Sequence, residues 1–232
     1  MSHEIKFFSD TKLSSPFWEK IKFDKTEKEF NEEIVLPKNE TAGGMPIWEC
    51  LQRRRSIRNY KNKAVSIKDL SQILWASSGI VTKKYGIELR TSPSAGALYP
   101  IEIYVFIFNV NGVKKGIYHL NVYEWKLKGI KEGDFSSEIA KASIYQTFIE
   151  DAAFTIFLTS VTKRTTRRYR ERGVRYILMD LGCIIQNIYL AVTSLNLGGC
   201  VIGAFYDDQV NKILEVNDRE ETTLALFSIG AI

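Results

Sequence analysis

The chain is poor in the residues that build several common kinds of site. Three cysteines, Cys50, Cys183 and Cys200, occur in 232 residues. They are odd in number, widely spaced and without a C-x-x-C pair, which argues against a disulfide framework and for reduced thiols in a cytoplasmic setting. The two histidines, His3 and His119, stand in unrelated contexts, so neither a zinc site nor a histidine-centred triad has the parts it needs, and no metal is expected. No G-x-G-x-x-G or G-x-x-x-x-G-K-[ST] stretch is present, which leaves the dinucleotide fingerprint and the P-loop without support. The strongly apolar stretches Ile101 to Val110 and Phe154 to Leu158 fall far short of the ~20 residues of a spanning helix. Met1 to Lys12 lacks the apolar centre of a secretory signal, so no membrane association is expected.

What is present suits one α+β domain with a sizeable core, since 45% of the residues are hydrophobic and 25% charged. Residues 1–45 read as an N-terminal arm, with Phe7, Phe8, Phe17, Trp18, Phe23 and Phe30 scattered among charges, and residues 46–232 as the domain. Val35 to Pro46 looks like an extended connector, and Pro46 suits the first turn of a helix carrying Ile47, Trp48 and Leu51 on one face. Ser66 and Asp69 resemble a capping pair for a helix that continues through Leu70, Ile73, Leu74 and Ser77 to Gly79, with a loop beyond it. Strands are expected over Ile101 to Val110, Gly116 to Tyr123, Glu124 to Leu127, Ala153 to Ser160 and Thr222 to Ile229. Val174 to Asn196 holds an unbroken helical period and carries apolar residues on its other faces too, so it is expected to be buried nearly all round, at the centre of the protein or in a subunit interface. Gly198 or Gly199 is the expected cap after it, and Asp207 the expected N-cap of a short helix ending near Leu214. Helices and strands do not alternate as βαβ units, which favours α+β over a doubly wound sheet.

Three segments invite a chemical reading. Arg54, Arg55, Ser56 and Arg58 set three guanidinium groups and a hydroxyl where a helix gives way to looser chain; this suits a phosphate monoester, although a solvated basic face explains the same residues. Thr91 to Pro100 packs small residues into a run that a flat ring could approach closely, or that is simply a loop before a strand. Leu197 to Phe205 offers further small-residue backbone, in which helix capping accounts for Gly198 but leaves Gly203 unexplained. The net charge of +5 gives mild attraction for anions of any kind. The basic run Lys163 to Arg175 could suggest nucleic acid, but Glu171 interrupts it and it leads into the apolar helix, so nucleic acid is not the expected partner.

Taken in order, R-R-S-x-R, S-P-S-A-G-A-L-Y-P, E-R-G-x-R-Y-x-L-x-D-x-G and L-G-G-C-x-I-G resemble the nitroreductase superfamily, and within it the SagB-type dehydrogenase branch, over about residues 50 to 230. The resemblance implies a nitroreductase-like fold with a central, mostly antiparallel sheet flanked by helices, in an intertwined homodimer with FMN at the interface. It implies that Arg54, Arg55, Ser56 and Arg58 hold the phosphate and ribityl chain. Pro93, Ser94, Ala95 and Gly96 would contact the ring from the other subunit, Gln146 would contact the flavin, and Val201, Ile202, Gly203 and Ala204 would pass its edge. The implied activity is two-electron ping-pong chemistry, with NAD(P)H as donor and a small organic acceptor, or alternatively oxidation of azolines in a modified peptide. A flavin carrier or sensor without turnover is the reading from another class. Members that oxidise azolines carry a Lys-Tyr pair where this chain has Arg168-Tyr169. Arginine does not act as a base at ordinary pH, which leaves Tyr169 as the candidate acid or base.

Overall fold

The computed structural model describes residues 30–84, 86–217 and 220–232. The aromatic residues Phe7, Phe8, Phe17, Trp18 and Phe23 lie outside that range. The described chain forms nine strands, β1 (Glu33–Val35), β2 (Ile80–Lys84), β3 (Ile87–Arg90), β4 (Ile101–Ile107), β5 (Gly116–Asn121), β6 (Lys126–Glu132), β7 (Phe154–Ser160), β8 (Leu197–Ile202) and β9 (Thr222–Ala231). The α-helices are α1 (Ile47–Arg53), α2 (Ile67–Ser78), α3 (Ser136–Ala142), α4 (Lys163–Tyr169), α5 (Arg172–Ser194) and α6 (Asp207–Leu214). Seven strands make one sheet in the order β1-β6-β5-β4-β7-β9-β8, with every pairing antiparallel. The fold class expected from the sequence, α+β around an antiparallel sheet, is the one observed.

The sheet is covered on both faces, which is why its middle strands read as continuous apolar runs rather than alternating ones. Ile103, Val105 and Ile107 of β4 join Ile156 of β7, Phe227 of β9 and the inward side of α2 and α5 in one core. Phe106, Phe157 and Leu226, from the same three strands, join α3 and α6 in the second. All seven residues of β7 are buried. The Ser66 cap of α2 forms as the sequence suggests, its Oγ accepting from the Asp69 amide at 3.0 Å, and Gly79 closes the helix.

Several local expectations are corrected. The loop after Gly79 is a hairpin of β2 and β3, whose outer residues are exposed and so show no amphipathic period. The strand expected over Glu124 to Leu127 starts only at Lys126 and runs on to Glu132, because Asn121 Oδ1 accepts from the Tyr123 and Glu124 amides and turns the chain there. Val35 belongs to β1 rather than to a connector, and Phe30 packs edge-on to Tyr118 at 5.2 Å. Asp207 is the first helical residue of α6, with Tyr206 at the cap position, so its carboxylate sits in the first turn.

Helix α5 ends at Leu195 and Asn196, with Asn196 at φ +54, not at a glycine. Gly198 and Gly199 lie inside β8 instead. A Cβ on Gly199 would stand 2.7 Å from the Phe227 ring, so close packing rather than capping demands the glycine. By length and composition α5 could cross a membrane, but its Ile177, Leu181, Ile184 and Ile188 face lies in the first core. Its opposite side leaves Leu178 40% and Met179 61% exposed, so within one chain the helix is not buried all round. Gly199→Ala is expected to lower stability by about 1–3 kcal/mol in urea unfolding through this clash with a fully buried ring.

Candidate active site

The arginine segment starts where α1 ends and is pinned by backbone and hydroxyl contacts, not by its own charges. Ile57 N donates to Gly199 O at 3.0 Å, and the Tyr60 hydroxyl, buried under β9, bonds Ile57 O at 3.0 Å and Ser228 Oγ at 2.7 Å. Burial pushes the Tyr60 phenol far above its ordinary range, only partly offset by Ser228, so it stays protonated and acts as an anchor. Ser56 Oγ lies 2.9 Å from the Tyr189 hydroxyl, which also accepts from Val201 N at 3.1 Å. One phenol on α5 thus joins the arginine segment to β8.

The cations of this segment are held over rings. The Arg54 guanidinium lies 5.0 Å from the Tyr189 ring centre, and that of Arg58 lies 5.9 Å from Phe148. Arg55 donates to the carbonyls of Gln52 and Arg54. Among the described residues none of the three pairs with a carboxylate, whereas the neighbouring Arg53 pairs with Glu49 at 3.0 Å. Beside them the chain leaves β8 as Gly203 and Ala204, both exposed, whose amides meet no protein acceptor among the described residues. Gln146 Nε2 closes the group by donating to Ala204 O at 3.0 Å and Ser143 O at 2.8 Å. A Cβ on Gly203 would meet no atom within 4 Å, so nothing in this chain requires a glycine there. Open space next to unspent cations and unspent amides can accept an anionic group joined to a flat one.

The structure places Pro93, Ser94, Ala95 and Gly96 elsewhere. Asp180, in the first half of α5, accepts from Ser94 Oγ at 2.6 Å and Ala95 N at 3.2 Å, and Tyr99 N donates back to Ser94 Oγ at 2.9 Å. Gly96 has φ +66, and a Cβ there would stand 2.7 Å from the Tyr169 hydroxyl and 3.0 Å from Arg168. The positive φ selects glycine there. Tyr169 therefore faces this loop, with Tyr176 edge-on at 5.0 Å. Asp180 and Tyr189 are separated on α5 by about 13 Å of helix rise. Within one chain the arginine, Gln146 and Val201 to Ala204 residues thus form one group, and the Pro93 to Gly96 loop with Tyr169 a second.

Two anchoring residues escaped the sequence reading. Asp180 is the aspartate of the E-R-G-x-R-Y-x-L-x-D-x-G stretch, but the sequence does not show its partners, Ser94 and Ala95. Tyr189 gave none beyond its place on an apolar helix. The basic run from Lys163 is broken by the turn at Arg170, φ +52, and Arg164 in it pairs with Glu102.

Comparison with known proteins agrees with this fold. The profile of the nitroreductase family matches residues 51–231. A protein of Methanocaldococcus jannaschii provisionally named a nitroreductase is 37% identical over 198 residues, 85% of this chain and 96% of that one. The microcin B17-processing protein McbC of Escherichia coli is 25% identical over 190 residues, 74% of this chain and 64% of that one. In structure, a provisional nitroreductase of Ralstonia eutropha superposes with a TM-score of 0.75 at 24% identity, over 88% of this chain and 91% of that one. Another, from Desulfovibrio desulfuricans in complex with FMN, gives 0.57 at 19% identity over 81% and 87% of the two chains. The chain belongs to the nitroreductase family, which makes it a member of an oxidoreductase class.

Burial raises the Asp180 carboxyl above its ordinary range, against the opposing bonds from Ser94 and Ala95. A raised native value favours the fold below the unfolded pKa near 3.9 and loses that contribution as pH rises through the native value. The stability of the wild type relative to Asp180→Asn is therefore expected to fall over that window in urea titrations run at successive pH values. Asp180→Ala, which orphans both loop donors, should cost about 1–3 kcal/mol.

Proposed function

We propose that this chain is an FMN-dependent oxidoreductase that works as a homodimer in a two-electron ping-pong cycle, with NAD(P)H as donor and a small organic molecule as acceptor. The observation that carries the reading is the set of three guanidinium groups, at Arg54, Arg55 and Arg58, that meet no carboxylate among the described residues and are joined through Tyr189 to β8 and the open backbone of Gly203 and Ala204. A flavin mononucleotide has a phosphate for the first and a ring edge for the second, and a related fold from Desulfovibrio desulfuricans is described in complex with FMN.

In this reading Arg54, Ser56 and Arg58 bind the phosphate, with Arg55 beside them, and Tyr189 keeps Ser56 in register with β8. The amide of Gly203 or Ala204 donates to the ring edge, a fixed donor that orients without titrating. Gln146 stiffens Ala204 from behind through its carbonyl. FMN, when bound, supplies the hydride exchange, and the protein supplies position and electrostatics. The Pro93 to Gly96 loop lies apart from the arginine segment of its own chain, so a second chain bringing its loop to the ring makes the two groups one site. The exposed Trp48, Leu51, Leu178 and Met179 are apolar surface that such a partner would cover.

A second reading is favoured by the similarity to the microcin B17-processing protein and by the contact of Tyr169 with the loop at Gly96. Here the substrate is an azoline in a modified peptide, and Tyr169 holds or moves the proton released during oxidation.

Purified protein is expected to show flavin absorption that bleaches on anaerobic addition of NADH or NADPH. Persistent bands that bleach only with an azoline peptide would transfer the activity to the second reading, and persistence with both would leave a flavin carrier or sensor. A protein that gains no bands when FMN is added overturns the proposal. Arg58→Ala, and Gly203→Val on open space, should each weaken FMN binding about tenfold or more, as loss of one charge-assisted contact or of the ring's room requires, with unchanged melting of the flavin-free protein.

A further inference from the structure

A cavity of about 390 Å³ lies away from the arginine segment, between the end of β3, the start of β4 and the turn after β5. Its wall includes Arg90, Tyr99, Glu102, His119, Asn121, Tyr123 and Arg164. Glu102 is already committed, because its two oxygens meet His119 Nε2, at 2.9 Å, and the Arg164 guanidinium. Burial opposes the Glu102 charge, but these two partners outweigh it and hold the carboxyl below its ordinary range. Arg164 is further fixed by donating to Tyr99 O at 3.1 Å.

Arg90 differs from Arg164. It donates from one guanidinium nitrogen to Ser78 Oγ at 2.9 Å and meets no carboxylate among the described residues. Its guanidinium is held 4.4 Å from the Tyr99 ring centre and 5.9 Å from that of Tyr123. Tyr99 is itself located by accepting from Arg90 N at 3.1 Å. The fork is therefore preorganised on aromatic faces with most of its donors unspent. Nearby, Asn121 Oδ1 is used by the Tyr123 and Glu124 amides, and its amide nitrogen meets no acceptor among the described residues.

We propose that this cavity is a binding site for a small planar monocarboxylate, with its carboxylate on Arg90 and its flat body against Tyr99 and Tyr123. The fork geometry matches a carboxylate bidentately. A phosphate fits less well, since about two negative charges would meet one unpaired guanidinium with the Glu102 carboxylate in the same wall. The cavity has room for a one-ring molecule. The proposal is independent of the flavin assignment, because anion binding is read without reference to the flavin bands.

The test uses the purified protein with whatever cofactor it carries, titrated at constant ionic strength with benzoate, acetate and inorganic phosphate by calorimetry and ligand-observed NMR. Benzoate is expected to bind with a Kd of about 1 mM or tighter, ahead of acetate and phosphate. Arg90→Gln should raise that Kd about tenfold or more, and Arg90→Lys, which keeps the charge and loses the fork, by several-fold. Tyr123→Ala, at the exposed rim, should weaken benzoate more than acetate and keeps the test open if Arg90→Gln does not fold. No heat or saturation transfer with benzoate, equal affinity in the Arg90 variants, or tighter binding of phosphate than of benzoate would each overturn the proposal.

Discussion

Strand β9 is bonded on both sides, to β7 from Phe154 to Ser160 and to β8 from Leu197 to Ile202, and the candidate site is referenced to that double ladder. The ladder sets β8 at the sheet edge with Gly199 against Phe227, where only a glycine fits. Because Gly199 O and Ser228 Oγ then face the segment after α1, the arginines are held by a β-type contact and a buried phenol rather than by ion pairs. Their charges remain available. A desolvated ion pair at the same place would have stabilised the apo chain little, and would have used up the groups that an anion needs.

Helix α5 is the second reference line. Its inward face is core, and from two points along its length it presents one polar group to each functional segment: Asp180 to the Pro93 to Gly96 loop and Tyr189 to Ser56 and Val201. A rigid helix fixes the spacing of the two groups, which one chain keeps apart. That separation is what motivates the proposal of a dimeric site.

Much of the fold was legible. The apolar strands β4, β7 and β9, the Ser66 cap and the long apolar helix all follow from apolar run length, helical period and local hydrogen bonding, which act over a few residues. The segments around Arg54, Pro93, Gln146 and Gly203 were legible as a family pattern, and the structure places Arg54, Gln146 and Gly203 together and Pro93 elsewhere. What was misread shares a cause. The hairpin of β2 and β3 is exposed and has little amphipathic signal, and the glycines at 198 and 199 looked like a cap because their real neighbour, Phe227, is remote in sequence.

The sequence by itself determined the layering, the apolar face of each main element and the presence of more basic charge than local acids can neutralise, because these depend on composition and on periods of two and 3.6 residues. Only the tertiary structure decided which arginines meet no carboxylate among the described residues. Arg53 and Arg164 find carboxylates while Arg54, Arg58 and Arg90 find aromatic rings, and that division rests on side chains brought close by strand register and helix packing, over distances at which sequence spacing carries no information.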